Sequence, residues 1–246
     1  MRALDLNSIF IRDFLEQSFA ATGHRGYRVL DLGCGTRPYR DIYDSCHLFA
    51  VTGDSDALAP SDVRLSAGAL PFSDSSFDTI LMTEVIEHIQ VPTAALAEAA
   101  RVLSPGGRFF LTWPFSYSMH ELPRDYVRFT EFGMAFLLAQ AGLEIELLRR
   151  RGDMLAVLAT IVGQLCLGFA HLLVRLPLVG RLLLPLEWLC VATNNALVVT
   201  LHWGTRNSRR LQPTTVGDGL SGIGHLALWT LGYCLVARKR PRRIEG

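Results

Sequence analysis

Half of the 246 residues are apolar, and 24 basic side chains stand against 23 acidic ones for a formal charge of +1. So small a charge excludes nucleic-acid binding through a broadly basic surface, and the length suits one α/β domain, with or without an insertion. Five cysteines without a CxxC pair argue against a disulfide framework and for a reducing compartment. The charge is unevenly distributed. Residues 1–152 hold 14 Arg against 19 Asp and Glu, a net −5; residues 153–246 hold 10 Lys and Arg against four carboxylates, a net +6. Mean hydropathy is +0.26, and from Met154 to Thr205 the only charges are Arg175, Arg181 and Glu187.

In chain order, Leu6–Phe19 has the spacing of an amphipathic helix and not the form of a signal peptide. The run from Tyr27 to Thr36 reads as a buried strand entering a glycine turn. His47–Thr52 is a second strand, Asp62–Leu65 a short third and Phe77–Met82 a fourth. Pro92–Leu103 is a helix with Pro in its first turn, and a Ser104–Gly107 turn leads into a strand at Arg108–Thr112. Thr130 caps a helix that runs through Gln140, with Glu131 in its first turn and Gly142 at its end. Leu143–Leu148 and the distant Leu231–Ala237 are the remaining strands. Alternating strands and helices predict an α/β fold with a mostly parallel sheet covered on both faces. If Leu231–Ala237 closes that sheet, residues 1–152 and 227–240 form one domain and residues 153–226 are an apolar insertion.

The turn Asp31-Leu-Gly33-Cys-Gly35 carries the first chemical signal. It is a poor dinucleotide fingerprint, because Pro38 stands where a third glycine belongs. Turn amides and the start of a following helix favour a carboxylate, and Asp31 favours a cationic amino group. Together they suit an amino-acid moiety. Asp54, at the end of the next strand, is placed to accept two ribose hydroxyls.

These motifs, with LPFSDSSFDTI at 70–80, EVIEHI at 84–89 and RVLSPGGRFFLTWPF at 101–115, resemble the class I S-adenosylmethionine-dependent methyltransferases, in the bacterial group near the ubiquinone and menaquinone enzymes. The resemblance implies a Rossmann-like sheet of seven strands, the last antiparallel and beside the sixth. It implies S-adenosylmethionine as cofactor, with Asp31, Gly33, Cys34 and Gly35 at its methionine end and Asp54 at the ribose. Leu70 would flank the adenine, and Thr83 and Glu84 would border the sulfonium. Ser66 stands where the family often has Asp for the adenine amino group.

For catalysis the expectation falls on His88, His120 and Asp125. The segment Trp113–Thr130 would overhang the methyl group; the alternative is a structural loop in which Asp125 and Arg128 pair. By resemblance to ubiquinone-pathway O-methyltransferases and small-RNA 2′-O-methyltransferases, Glu84, Glu87 and His88 match divalent-metal positions, on one face of a helix, with His120 as a fourth ligand. The same EVIEH pattern serves packing in metal-independent members, and no metal is assigned from the sequence.

Met154–Val174 carries no charge over a length of roughly 32 Å as helix, against a hydrocarbon thickness of ~30 Å. Leu186–Trp203 is a second apolar run of ~27 Å, with Glu187, Trp188 and Trp203 near its ends and Asn194 and Asn195 inside it. Arg149–Arg151 would flank the first run, and Arg206, Arg209 and Arg210 the second, on one side of a membrane. Three arrangements stand: helices lying in the membrane interface, a spanning hairpin, or a lid or dimer surface off the membrane. The expectation is methyl transfer to a lipid-like or lipid-linked acceptor on the cytoplasmic side of a membrane, with no nucleic-acid partner. The alternatives are a small-molecule methyltransferase whose insertion forms a dimer, and a non-catalytic membrane scaffold.

Overall fold

The computed structural model describes residues 6–22, 28–45, 49–174, 189–193, 196, 200 and 229–240. Its elements are α1 (Leu6–Thr22), β1 (Arg28–Leu32), α2 (Arg40–Ser45), β2 (Phe49–Asp54), β3 (Val63–Arg64), β4 (Phe77–Thr83), α3 (Pro92–Val102), β5 (Leu103–Pro114), α4 (Glu131–Gln140), β6 (Leu143–Arg151), α5 (Met154–Val174) and β7 (Gly232–Lys239). The strands form one seven-stranded sheet in the order β3-β2-β1-β4-β5-β7-β6. Every pairing is parallel except those of β7, which is antiparallel to both β5 and β6. This is the Rossmann-like arrangement expected for the resemblance.

Both faces of the sheet are buried, which is why its central strands are apolar without interruption. Successive residues point to opposite faces. Val29, Leu81, Phe110 and Cys234 pack with Phe14, Leu15 and Phe19 of α1 and with Ile42 and Tyr43 of α2. Their neighbours Leu30, Ile80, Phe109 and Leu235 pack with Leu96 and Ala99 of α3 and with Met134 and Leu138 of α4. Phe19 stacks on Phe110 at 4.9 Å, and Thr130 caps α4 by accepting from the Gly133 amide at 3.1 Å.

Three local expectations change. The Ser104–Gly107 turn lies inside β5, because Leu103 already pairs with Phe77 and the register slips before Arg108 pairs with Thr79; the glycines absorb an irregularity within one strand. EVIEH does not form an α-helix: Glu84 has φ +54 and only Ile86–His88 makes a 3₁₀ turn. Finally, Arg149–Arg151, expected only as a flank of the apolar run, belong to the sheet. They continue β6 against Cys234, Tyr233 and Gly232, and each is engaged within the domain: Arg149 with Gln17, Arg150 with Glu131, Arg151 with Glu84.

Arg151 and Gly232 are register partners, and the Leu231 amide donates to the Arg151 carbonyl at 2.9 Å. The chain therefore leaves the sheet and re-enters it at the same place. Of the intervening residues, α5 docks by a narrow stripe: Ala156 and Val157 pack with Leu6 and Leu231, while Leu158, Ile161, Leu165 and Phe169 are exposed. No helix among the described residues is long and apolar enough to cross a membrane. Most of the second apolar run, with Trp188, Trp203 and the asparagine pair, lies outside the described residues, as do Arg175, Arg181, Arg206, Arg209 and Arg210.

Candidate active site

The cleft opens at the carboxyl ends of β1, β2 and β4, where parallel α/β sheets place their ligands. It consists of two adjoining cavities. One of 550 Å³ is bordered by Gly33, Cys34, Gly35, Thr83, Glu84 and Arg124. The other, of 570 Å³, is bordered by Leu65, Ser66, Ala67, Gln90, Ala94 and Tyr126. Gly33, Asp54, Ser55, Val85 and His88 belong to both walls. Of the residues expected at the methionine end, Gly33, Cys34 and Gly35 line the first cavity, Ser66 lines the other, and Asp54 stands at the junction.

The glycine turn is built from its own bonds. The amides of Gly33 and Cys34 donate to the Gly53 carbonyl at 2.8 and 3.3 Å, and the Gly35 amide donates to Asp54 Oδ2 at 2.8 Å. The next helix, α2, starts only at Arg40. The expectation that these amides and a helix start would receive a carboxylate is therefore corrected: the turn spends them on holding β2 and Asp54. The cavity wall instead offers Arg124, a cation the sequence reading did not select. Gly33 has φ +74, and a Cβ there would stand 2.4 Å from Val85 Cγ2; at Gly35, φ +50, a Cβ would meet nothing within 4 Å. Gly33→Ala is expected to cost about 2 kcal/mol or more of stability, from the left-handed backbone and the clash together. Urea unfolding checks it; a loss below about 0.5 kcal/mol would show that the turn relaxes freely.

Asp31 lies beneath the turn and not on the cavity wall. It is 3% exposed and accepts a hydrogen bond from the Tyr43 hydroxyl at 3.1 Å. Burial raises its pKa to about 6, against the opposing effects of that hydrogen bond and of Arg37. Cys34 is buried, and burial raises its pKa too, which suits packing and not nucleophilic chemistry. Leu70 is buried and its amide donates to Glu98 at 2.7 Å. Arg101 fastens the same segment through the carbonyls of Leu70 and Phe72 and through Asp74.

Glu84 closes the inner end of the first cavity, held from three directions. Its carboxylate accepts from Asn7 at 2.8 Å, from Thr112 at 2.8 Å and from Arg151 at 2.9 Å. This draws it away from Glu87 and His88, so the one-face arrangement expected of a helix is not formed. Glu87, His88 and His120 do come together, with ligand-type atoms all within 4.8 Å of one another. The loop carrying His120 is docked by the Tyr126 amide on the Glu87 carbonyl at 2.9 Å and by His88 Nδ1 on the Arg124 carbonyl at 2.6 Å. Asp125 is bound by Arg128, as the structural alternative held, and it also accepts from the His120 amide at 3.0 Å. Arg128 holds its carboxyl far below the usual range. Asp125 is thus suited to positioning His120 and not to accepting a proton.

Residues 30–111 match the family model described as a methyltransferase domain. This part of the chain is a methyltransferase domain. The chain is 32% identical over 135 residues to an uncharacterized methyltransferase of Mycolicibacterium gilvum, covering 49% of this chain and 53% of that one. It is 34% identical over 93 residues to a demethylmenaquinone methyltransferase of Renibacterium salmoninarum, covering 34% and 39%. The chain spans about half or less of the length of these relatives. Two solved structures share the fold at low identity. One is the [4+2]-cyclase SpnF, with TM-score 0.54 and 19% identity over 93% of this chain and 81% of that one. The other is an S-adenosylmethionine-dependent methyltransferase of Methanosarcina mazei, with TM-score 0.50 and 14% identity over 90% and 97%. The methyltransferase domain is of the S-adenosylmethionine-dependent class, and its cleft combines an open turn at Gly35, a carboxylate midway, and a partly apolar cavity beyond it.

Proposed function

We propose that this chain transfers the methyl group of S-adenosylmethionine to a lipid-like or lipid-linked acceptor on the cytoplasmic face of a membrane. The observation that carries the cofactor assignment is the paired cavity with Asp54 at its junction. Asp54 Oδ1 and Oδ2 each accept one backbone amide, from Asp56 and Gly35, and each retains lone-pair capacity for a ribose hydroxyl. Gly33, Cys34 and Gly35 shape the methionine end over the buried charge of Asp31, and Ser66 and Leu65 border the adenine end. Bound S-adenosylmethionine supplies an activated methyl group, so the protein's task is alignment and, where the acceptor carries a proton, its removal. His88, on the wall of both cavities, and His120 behind it are the groups that would handle that proton.

The membrane assignment rests on α5. Its exposed apolar face, with Leu158, Ile161, Leu165 and Phe169, is a surface that water disfavours and a membrane interface accommodates. Calorimetry with S-adenosylmethionine tests the cofactor. Wild type is expected to bind one molecule per chain, and Asp54→Asn to weaken binding about 10–100-fold through the lost charged hydrogen bonds. No binding by wild type would sink the reading. For the acceptor, the protein is incubated with labelled cofactor and a membrane lipid extract or an aqueous metabolite extract. Label in the lipid fraction supports the proposal; label only in aqueous products points to the small-molecule alternative.

A further inference from the structure

S-adenosylmethionine carries both an ammonium and a carboxylate on its methionine end, and the glycine turn suits only one of them. Asp31, buried beneath the turn, favours the ammonium. The carboxylate has no partner among the amides of Gly33, Cys34 and Gly35, which are bound to Gly53 and Asp54. The first cavity is also bordered by Asp54, Asp56, Glu84 and Glu121, and each repels a further negative charge. An anion drawn into such a cavity needs a cation.

Arg124 stands on the same wall. Among the described residues its guanidinium makes no ion pair and no hydrogen bond, whereas Arg128 and Arg151 are bound to Asp125 and Glu84. An exposed arginine without a partner is ordinary by itself. This one differs in that its backbone is pinned at the cavity. The Arg124 carbonyl accepts from His88 Nδ1 at 2.6 Å, and the Arg124 amide donates to the Glu121 carbonyl at 3.0 Å. The next two residues are anchored as well: Arg128 binds Asp125, and the Tyr126 amide donates to the Glu87 carbonyl at 2.9 Å.

We propose that Arg124 receives the carboxylate of S-adenosylmethionine and so fastens the loop after β5 to the bound cofactor. This rests on the cofactor reading above. A guanidinium meets a carboxylate through two parallel hydrogen bonds, which fix direction as well as charge. The two charges of the amino-acid moiety are then divided, the ammonium toward Asp31 and the carboxylate toward the loop. Arg124 shares its stretch of chain with His120, Asp125 and Tyr126. The bound cofactor therefore orders the acceptor side of the cleft before an acceptor enters.

Decarboxylated S-adenosylmethionine is the probe, because it keeps the ammonium, sulfonium, ribose and adenine and lacks only the carboxylate. In calorimetry at low salt, wild type is expected to bind S-adenosylmethionine about tenfold or more tightly than the probe. Arg124→Ala should lose that preference, binding S-adenosylmethionine about tenfold more weakly and the probe as wild type does. Arg124→Lys, which keeps the charge without the fork, should fall between; circular dichroism checks that both variants fold. In hydrogen exchange, residues 116–130 should gain protection from S-adenosylmethionine in wild type, but not from the probe and not in Arg124→Ala. Equal affinities of wild type for the two ligands, or an undiminished preference in Arg124→Ala, overturns the assignment. Full protection of the loop by cofactor in Arg124→Ala overturns its fastening. Failure of wild type to bind S-adenosylmethionine sinks the cofactor reading and this one together, whereas tight binding without a carboxylate preference removes Arg124 alone.

Discussion

Asp31→Asn is expected to stabilise the cofactor-free protein near neutral pH while weakening its hold on S-adenosylmethionine. Burial raises the Asp31 pKa from 3.8 to about 6. Between those values the folded chain keeps a proton that the unfolded chain has released. Stability contributed by this group is therefore full below pH ~4, falls as pH rises through 6, and is constant above. The shift corresponds to a cost of roughly 3 kcal/mol for the ionised form. Asn cannot ionise and retains a carbonyl oxygen for the Tyr43 hydroxyl, so its thermal midpoint should rise at about pH 7 and lose its decline between pH 4 and 7.

Binding runs the other way. A cationic ammonium beside the turn favours the carboxylate, so wild-type affinity should increase from about pH 5 to pH 7, and the Asn variant should bind more weakly with a flat profile. Scanning calorimetry and cofactor titration across pH check both halves. A variant that is destabilised at neutral pH, or that binds as wild type does, contradicts this account of a carboxylate kept at a cost to stability for the ligand's sake.

The second large effect belongs to the Glu84–Arg151 pair. Arg151 is 2% exposed, and its Nε and Nη1 atoms have no hydrogen-bond partner. Its Nη2 donates to Glu84 at 2.9 Å and to the Trp113 carbonyl at 2.6 Å. Glu84→Ala leaves a guanidinium buried without its counter-charge, a change that costs about 3–5 kcal/mol in comparable settings. The carboxylate side chain is 22% exposed, which places the expected loss near 3 kcal/mol. Glu84→Ala with Arg151→Met removes both charges and should recover at least half of that loss. Urea unfolding of the two single variants and the double variant measures the coupling; additive losses would show that the pair does not act as one unit. Because α5 begins three residues after Arg151, this pair also joins the apolar helix to the wall of the cofactor cavity.

Much of the site was legible along the chain because its parts are local. A strand that ends in Asp-Leu-Gly-Cys-Gly must turn sharply, and Gly33 and Gly35 adopt the positive φ values that the turn requires. Asp54 was legible by the same logic, one strand later. Thr130 declared its helix start through a side chain that bonds three residues ahead. By contrast, nothing in the local pattern marks Asn7 as a partner of Glu84 across 77 positions, or Arg101 as the anchor of residues 70–74. The partners of the basic run Arg149–Arg151 were hidden for a related reason. Strand alternation and the pairing of β6 with β7 turn the three side chains to separate carboxylates and an amide.

By itself the sequence determined the order of strands and helices, the glycine turn, and a last strand that lies far from the rest. These follow from periodicity and short-range bonding, which act between near neighbours. Only the tertiary structure decided that the chain leaves the sheet at Arg151 and returns beside it at Gly232, that the turn amides are occupied by Gly53 and Asp54, and that Glu84 is drawn to Arg151. It alone brought Glu87, His88 and His120 together. The physical reason is common to all of them: each depends on which buried polar groups meet across the sheet, and a charge or lone pair in a dry interior takes whatever partner the packing brings, however distant in the chain.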